Sequence, residues 1–277
     1  MKKLHLKYKA AMRVSLQFFF ILIFILLKSN STNAHEFWME PDKYFANQSD
    51  TIEISNRIGQ NFIGDTWPYI SNSFFSFEYV LNKTSVRIVG LEGDDPAAKL
   101  KINSAGLVIV TQHTKGDEVT FEKWKKFKEY LKNEGLADKI DEHLRQNLPK
   151  QNIKEKYYRC AKLLLNIQSS SEDFDHFTGM PLEIVTAKNP YHLEPNEQLQ
   201  VQVLYYGEPL PNAQIIKISK NSGTRLFGPR TNADGKALLT LTESGPILLS
   251  VVHLTAAPKR SNVHWISHWA SLTFSKI

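Results

Sequence analysis

The sequence predicts a mainly β protein that carries a helical insert and ends in an antiparallel β-sandwich. Residues 35 to about 112 contain short runs of alternating apolar and polar residues, which are typical of strands. Residues 121 to about 168 place apolar side chains at three- and four-residue spacing, which is typical of helices. From Met180 onward, short apolar runs separated by Gly, Pro and Asn return.

These changes of pattern predict three segments. They are a leader (1–34), an N-terminal β region (35–178) with the helical insert (about 121–168), and a C-terminal β-sandwich (179–277). The pattern leaves open whether the two β regions share one core or form two domains.

The leader has the composition of a cleaved export signal. Its basic start is followed by the apolar run 16–27, which is shorter than the roughly 20 residues that span a bilayer. A small polar stretch then ends at Ala34, which suits a cleavage site. The alternative is an uncleaved anchor, which Lys28 directly after the apolar run favours. We expect export to the periplasm.

The basic charge of the chain lies in this leader. The formal net charge is +6 and the sequence pI is about 9.1. Residues 1–34 hold 6 basic and no acidic residues; subtracting these from the 34 Lys and Arg leaves 28, equal to the 28 Asp and Glu. The remainder of the chain is formally neutral, so its charge does not predict a nucleic acid as partner.

The strands of the N-terminal region follow from local pattern. Thr51–Ile54 and Ser85–Val89 alternate, and Leu107–Val110 is an apolar run after Gly106, as expected of a buried strand.

Three helices are predicted in the insert. The first runs from Phe121 to Leu131 and has Gly135 as a suitable end, and the second runs from Asp138 to about Asn147. The third is predicted from Ile153 to Ile167, because Tyr157, Ala161, Leu164 and Leu165 share one helical face.

The C-terminal region has the strand spacing of an immunoglobulin-like (Ig-like) sandwich. Its clearest turns are Gly207–Ala213 and Thr231–Gly235. The predicted strands are 182–185, 199–205, 214–218, 237–241 and 247–252.

The sequence lacks the motifs of common enzymes. It has no Gly-rich phosphate loop, no Gly-x-Ser-x-Gly elbow and no His-Glu-x-x-His pair. The single cysteine, Cys160, cannot form an internal disulfide and has no partner motif, so we interpret it as a core thiol. We therefore expect no enzymatic activity of these types.

His35 is a candidate metal ligand because cleavage after Ala34 makes it the N-terminal residue. Its α-amine and ring Nδ1 then chelate one ion, and a second imidazole completes three nitrogen donors, a set that suits Cu, Ni or Zn. Cleavage one residue earlier leaves an amine, an amide and an imidazole, which suit square-planar Ni(II) or Cu(II). The alternative is that His35 is an ordinary polar residue beside the cleavage site.

His253 and His268 are the other candidate ligands. His253 ends the predicted strand 247–252, where a rigid scaffold presents a side chain to a site. His264 and His268 share one face of a predicted strand, opposite Trp265 and Trp269. Half-buried structural histidines are the alternative interpretation for this strand, and the role of His264 stays open. We expect the other four to face solvent: His113, His143, His176 and His192.

The chain resembles the DUF4198 family, which is grouped with periplasmic components of nickel and cobalt uptake in the NikM-like clan. His35–Pro41 directly after a signal peptide resembles the start of the mature family members. The resemblance continues in order through segments 130–136, 158–162, 179–185, 189–191, 207–213, 231–235, 252–254 and 269–274. It implies an exported, mostly β protein in which His35 and His253 meet at a metal. His264 and His268 depart from the family pattern, so no role is carried over to them.

Three functional hypotheses follow. The first is an exported metal-binding protein that serves metal uptake; Ni or Co is the favoured ion, Cu and Zn are alternatives, and a membrane metal transporter is the expected partner. The second is a copper redox enzyme with a histidine-brace site, which needs an axial aromatic residue that the sequence does not locate. The third is a metal-free Ig-like binding module that uses Trp38, Trp67 and Trp269 to contact a glycan or a protein.

Overall fold

The computed structural model of the protein describes residues 36–276, which belong to one compact unit. The predicted signal peptide and His35 lie outside the described residues. The residues that are described form a mainly β structure with two helices, which confirms the predicted fold class.

The described elements are as follows. The helices are α1 (Trp124–Asn133) and α2 (Asp138–Arg145), and short 3-10 turns lie at Ser71–Ser73 and Pro190–His192. The strands are β1 (Glu36–Pro41), β2 (Phe45–Ala46), β3 (Thr51–Gln60), β4 (Ile63–Trp67), β5 (Phe74–Leu81), β6 (Thr84–Arg87), β7 (Ala98–Lys101), β8 (Gly106–Thr114), β9 (Asp117–Lys123), β10 (Gln151–Ile167), β11 (Leu182–Thr186), β12 (Gln198–Tyr205), β13 (Glu208–Pro209), β14 (Gln214–Ser219), β15 (Arg225–Arg230), β16 (Lys236–Thr240), β17 (Gly245–Ala256) and β18 (Trp265–Lys276).

A ten-stranded central sheet joins the two β regions that the sequence distinguishes. Its strand order is β15-β14-β17-β18-β10-β8-β5-β6, and β2 and β9 also pair with β10. The β10–β18 pair, which links the two regions, is parallel, whereas β17–β18 and β10–β8 are antiparallel.

Two four-stranded sheets cover the central sheet. The N-terminal sheet consists of β1, β3 and β4, with β7 on β3; the C-terminal sheet consists of β11, β12 and β13, with β16 on β12. The C-terminal sheet and strands β14, β15, β17 and β18 form the predicted Ig-like antiparallel sandwich.

Two buried contacts show which sheet lies on which face. The Thr273 hydroxyl on β18 donates to the Met39 carbonyl of β1 at 2.9 Å, so this face meets the N-terminal sheet. Lys162 on β10 pairs with Glu183 of β11, so the opposite face meets the C-terminal sheet. One cluster of buried apolar residues includes members from all three sheets, and the two β regions therefore share a core.

The third predicted helix is wrong. Residues 151–167 form β10, a 17-residue strand between β18 and the strands β8 and β9. From Cys160 to Leu165 every residue is buried, because sheets cover both faces of β10. Such a strand has no alternating pattern, and its continuous apolar run is indistinguishable from that of a buried helix by spacing alone.

The helical insert is therefore shorter than predicted and ends at Arg145. Phe121 belongs to strand β9, and α1 begins at Trp124. Gly135 has a φ of +71° directly beyond the end of α1, and the Leu136 N–H donates to the Leu131 carbonyl at 2.7 Å, which confirms Gly135 as the terminating residue. Across residues 36–276, neither helix has the length and apolar character needed to cross a membrane.

Candidate metal site

His253 and His268 lie directly opposite each other on adjacent antiparallel strands. His253 lies inside β17, three residues before the strand ends at Ala256 and not at its end as predicted, and pairs in register with His268 of β18. Directly opposite side chains project from the same face of a sheet with Cβ atoms about 4.5–5.5 Å apart. We call these two residues the histidine pair. The fold thus brings together two of the three predicted metal ligands.

Aromatic side chains border the histidine pair on both sides. The Tyr158 ring of β10 stacks on His268 with centroids 5.1 Å apart and an interplanar angle of 13°. Tyr205, at the end of β12, covers the pair, and its ring centroid lies 4.4 Å from that of His253 and 5.4 Å from that of His268. His113 of β8 follows on the far side of Tyr158, with ring centroids 6.5 Å apart.

Burial keeps these imidazoles neutral. Desolvation lowers the pKa of His253, with Lys139 as a smaller cause, and lowers the pKa of His113. Desolvation, followed by the proximity of His113 and His253, lowers the pKa of His268 to about 4. A neutral imidazole is the form that binds a metal ion, so at pH 7 the pair needs to lose no proton before it can ligate.

Within the described part of the chain, a buried nitrogen of His268 lacks a hydrogen-bond partner. His268 is 5% exposed, and its Nδ1 is buried without a hydrogen-bond partner among the described residues. A buried polar atom normally has a partner, and a metal ion supplies one for an imidazole nitrogen. Within residues 36–276, however, no group of three or more His, Cys, Asp or Glu side chains is arranged to hold a metal. The pair by itself supplies two imidazole donors, so an ion bound there would need further ligands.

His253 borders a small cavity of about 140 Å³ between β17 and the segment that leads into α2. Leu136 of that segment and Lys139 in the first turn of α2 line this cavity. The same segment approaches the start of β1, because Arg225 bridges Glu134 and Glu36, with nitrogen–oxygen distances of 3.2 and 3.6 Å. This bridge ties the start of β1 to the end of α1, and β1 itself belongs to the N-terminal sheet, on the face of the central sheet opposite the histidine pair.

The prediction that His143 faces solvent is wrong. His143 is 0% exposed and packs among the rings of Trp124, Phe127 and Trp265. The Trp265 indole N–H donates to its Nδ1 at 3.1 Å, and its Nε2 lies 3.0 Å from the Pro149 carbonyl. An imidazole that donates from Nε2 and accepts at Nδ1 satisfies both contacts, so His143 is a structural residue of the core.

The other histidines occupy separate places. His113 lies on strand β8 and is half-buried, so its predicted exposure in a loop is wrong, whereas His192 is exposed as predicted. His176 is half-buried. His264 Nδ1 accepts a hydrogen bond from the Lys154 backbone N–H at 2.9 Å, which holds the start of β18 against β10.

Burial also decides the interpretation of Cys160 and the tryptophans. Cys160 is buried on β10, and desolvation raises the pKa of its thiol to about 12, which confirms it as a core thiol. Trp38 and Trp269 are buried, so neither can contact a partner at the surface. Trp67, at 41% exposed, keeps the accessibility that the binding-module hypothesis requires.

The sequence did not identify several buried polar groups. Lys162 has its Nζ 3.0 Å from Asp175 and 2.5 Å from Glu183, deep between the central and C-terminal sheets. A lysine within the run Ala161–Leu165 signals a buried cation once that run is assigned to a strand. No sequence signal points to Tyr205, because its position over the histidine pair depends on how two sheets pack.

Comparison with known proteins identifies a family. The family model described as "Domain of unknown function (DUF4198)" matches residues 32–255. No curated protein matches the chain. Similar solved structures include the D0-D1 domain of Intimin, at 14% sequence identity and a TM-score of 0.18, over 86% of this chain and 97% of that one.

Proposed function

The chain belongs to the DUF4198 family, and we propose that it is an exported protein that binds a transition-metal ion through His253 and His268. The observation that carries the proposal is the cross-strand register of these two histidines, together with the unpartnered, buried Nδ1 of His268. Two neutral imidazoles are soft-to-borderline donors that suit Ni, Co, Cu or Zn.

The remaining donors are proposed to come from the chain terminus that export creates. Cleavage after Ala34 frees the amine of His35, one residue before β1. Because β1 lies in the N-terminal sheet, on the face of the central sheet opposite the histidine pair, the inclusion of His35 is supported by the family resemblance alone. A site with few protein donors leaves coordination positions of the ion open to other ligands. The ion can therefore be released readily, which suits delivery to a membrane transporter of the nickel and cobalt type.

Metal titration of the exported protein tests this proposal. The full-length gene is expressed, the processed protein is purified and its N-terminus is sequenced, and binding of Ni(II), Co(II), Cu(II) and Zn(II) is measured by calorimetry. Loss of a ligand in His253→Ala or His268→Ala should weaken binding of the preferred ion at least about tenfold. The matched control is His192→Ala, because His192 is exposed and lies on a 3-10 turn outside the pair.

Two results would contradict different parts of the proposal. Equal affinities of the wild type, His253→Ala and His268→Ala would exclude the histidine pair as ligands. A mature N-terminus at Lys28 or Ser29 would exclude the amine chelate of His35 and leave the pair to be judged by its own variants.

One observation favours a second candidate, a copper redox enzyme. Such a site needs an aromatic residue beside the metal, and Tyr205 covers both imidazoles of the histidine pair. His253 and His268 would hold the copper ion, which would supply the electron transfer, and Tyr205 would lie beside it. Copper-dependent turnover of peroxide with a polysaccharide, lost in Tyr205→Phe and in His268→Ala, would establish this activity; copper binding without turnover would refute it.

A further inference from the structure

A cleft of about 440 Å³ lies on the face of the central sheet opposite the histidine pair. Arg159 and Tyr157 of β10 line it, and both project from the opposite side of the strand to Tyr158, which stacks on His268. The N-terminal sheet closes the cleft with Trp67, the last residue of β4. Its volume lies within the range of sites for small organic ligands.

Arg159 is a cation without an anion in this cleft. No carboxylate oxygen of residues 36–276 lies within 4.0 Å of its guanidinium, although ion pairs of other residues are found at that distance. Its guanidinium carbon lies 4.6 Å from the centroid of the Tyr157 ring and 5.8 Å from that of Phe37. Two aromatic rings thus hold the guanidinium plane, which leaves its edge available for a bidentate pair with a carboxylate.

Burial makes this unpaired cation costly. Desolvation lowers the pKa of Arg159, and the Tyr157 hydroxyl and the Asp117 carboxylate oppose the effect only in part. Asp117 is itself engaged, since its Oδ2 accepts from the Tyr157 hydroxyl at 3.2 Å and its Oδ1 accepts from the Glu118 backbone N–H at 2.8 Å. A ligand anion beside Arg159 would provide the missing charge partner.

The charges of the lining fit a ligand with one negative charge. Lys115 and Arg159 are the basic residues of the lining and Asp117 is the acidic one, so two positive charges and one negative charge leave a net +1. This balance disfavours phosphate esters with two negative charges and favours a carboxylate.

The remaining lining suits a ligand with several hydroxyl groups. Gln112 is 2% exposed, and its Oε1 is buried without a hydrogen-bond donor among the described residues. Asn72 is exposed at the rim and makes no side-chain hydrogen bond within residues 36–276. These amides can both donate to and accept from hydroxyl groups, and the exposed face of Trp67 is a platform on which a sugar ring can pack.

We propose that this cleft binds a sugar acid, with Arg159 pairing with its carboxylate, Gln112 and Asn72 bonding its hydroxyl groups, and Trp67 packing against its ring. The site is independent of the proposed metal, because its residues project from the other face of the central sheet.

Titration with defined sugars tests the proposal. The protein, purified after expression of the full-length gene, is titrated in EDTA with D-glucuronate, D-galacturonate, D-glucose and acetate, and binding is followed by calorimetry and by tryptophan fluorescence. We expect one of the uronates to bind at least about tenfold more tightly than either glucose or acetate, because only a uronate satisfies both the guanidinium and the amide groups.

Variants assign the binding to named residues. Arg159→Met keeps much of the aliphatic stem and should weaken uronate binding at least about tenfold. Arg87→Met removes the same charge from the exposed edge strand β6 and should leave binding unchanged. Trp67→Ala changes an exposed residue and should weaken binding of the uronate several-fold without affecting the fold.

Several outcomes would overturn the proposal. They are the absence of saturable binding of either uronate to the folded wild type, equal affinity for uronate and glucose, or equal affinity of wild type and Arg159→Met. Acetate binding as tight as uronate binding, unaffected by Trp67→Ala, would exclude a sugar. If Arg159→Met does not fold, Arg159→Lys, which keeps the charge but loses the bidentate geometry, and Trp67→Ala decide the question.

Discussion

Glu155 makes the stability of the protein sensitive to pH. Its carboxylate is 0% exposed on β10; Oε1 accepts from the Tyr130 hydroxyl at 3.1 Å and from the Ser267 hydroxyl, and Oε2 has no partner among the described residues. Desolvation raises the pKa of Glu155 from 4.5 to about 7, because it outweighs the hydrogen bonds from Ser267, Tyr130 and the nearby Trp269 indole.

The sign and size of the effect follow from this pKa. A carboxyl group whose pKa is raised on folding contributes stability that is fully present below pH 4.5 and is lost as the pH rises through about 7. The difference between 7 and 4.5 is about 2.5, which corresponds to about 3 kcal/mol of unfolding free energy at full ionisation. About 2 kcal/mol of this develops between pH 5.5 and pH 8.

Glu155→Gln tests the effect, because glutamine is isosteric with the protonated acid and does not ionise. We expect the variant to gain about 2 kcal/mol relative to wild type when the pH is raised from 5.5 to 8. Urea unfolding at both pH values measures the difference, and comparison with wild type cancels the contributions of the histidines. Glu118→Gln, on the exposed side of the neighbouring strand β9, is the matched control and should show no such gain. A difference between Glu155→Gln and wild type that is the same at both pH values would refute the buried, protonated carboxyl group.

Three further predictions concern the core. Lys162→Met leaves the carboxylates of Asp175 and Glu183 buried without their cation, so we expect a loss of about 3–5 kcal/mol in urea unfolding at pH 7. The loss should be smaller at pH 5, because burial raises the pKa of Asp175 and lets it take up a proton. An unchanged midpoint would contradict the buried cluster. His143→Phe leaves the Trp265 indole N–H and the Pro149 carbonyl without a partner, so we expect the free energy of unfolding to fall by about 2–4 kcal/mol. The near-ultraviolet circular dichroism spectrum should change as well. A variant as stable as the wild type would show that the two hydrogen bonds are dispensable. Cys160 should not react with a thiol reagent in the native state and should react after unfolding in urea; rapid labelling of the native protein would disprove its burial.

The sequence predicts those elements whose pattern is local. Strands β12 and β17 alternate or run apolar between turn residues, and α1 and α2 carry a helical face with Gly135 at the junction, so their types follow from spacing alone. The type of β10 does not. It is a central strand because β18, which lies about 110 residues away in the chain, pairs with it in parallel, and no local pattern contains that information.

For the candidate site, the sequence predicts which residues can bind a metal but does not predict which of them lie together. Histidine is a metal ligand by chemistry, so the sequence can propose His253 and His268 separately. Their pairing depends on the register of β17 with β18, which the turn between the strands and the buried faces set together. At His143 the sequence predicts the wrong environment. The charged helix around it indicates exposure, but its side chain packs in an aromatic cluster with Trp265, which comes from a strand distant in the chain.

The two proposed sites use alternate residues of the same strand pair. Tyr158 and His268 face the C-terminal sheet, whereas Arg159 and its register partner Trp269 face the opposite side. Because successive side chains of a strand point to opposite faces, a substitution at Arg159 leaves the surroundings of the histidine pair unchanged, and a substitution at His268 leaves the cleft unchanged. Metal affinity and uronate affinity should therefore respond to separate sets of variants. Suppose instead that Arg159→Met weakened metal binding as much as His268→Ala does. The substitution would then have shifted the β10 backbone and with it the surroundings of His268, and the two sites would be coupled.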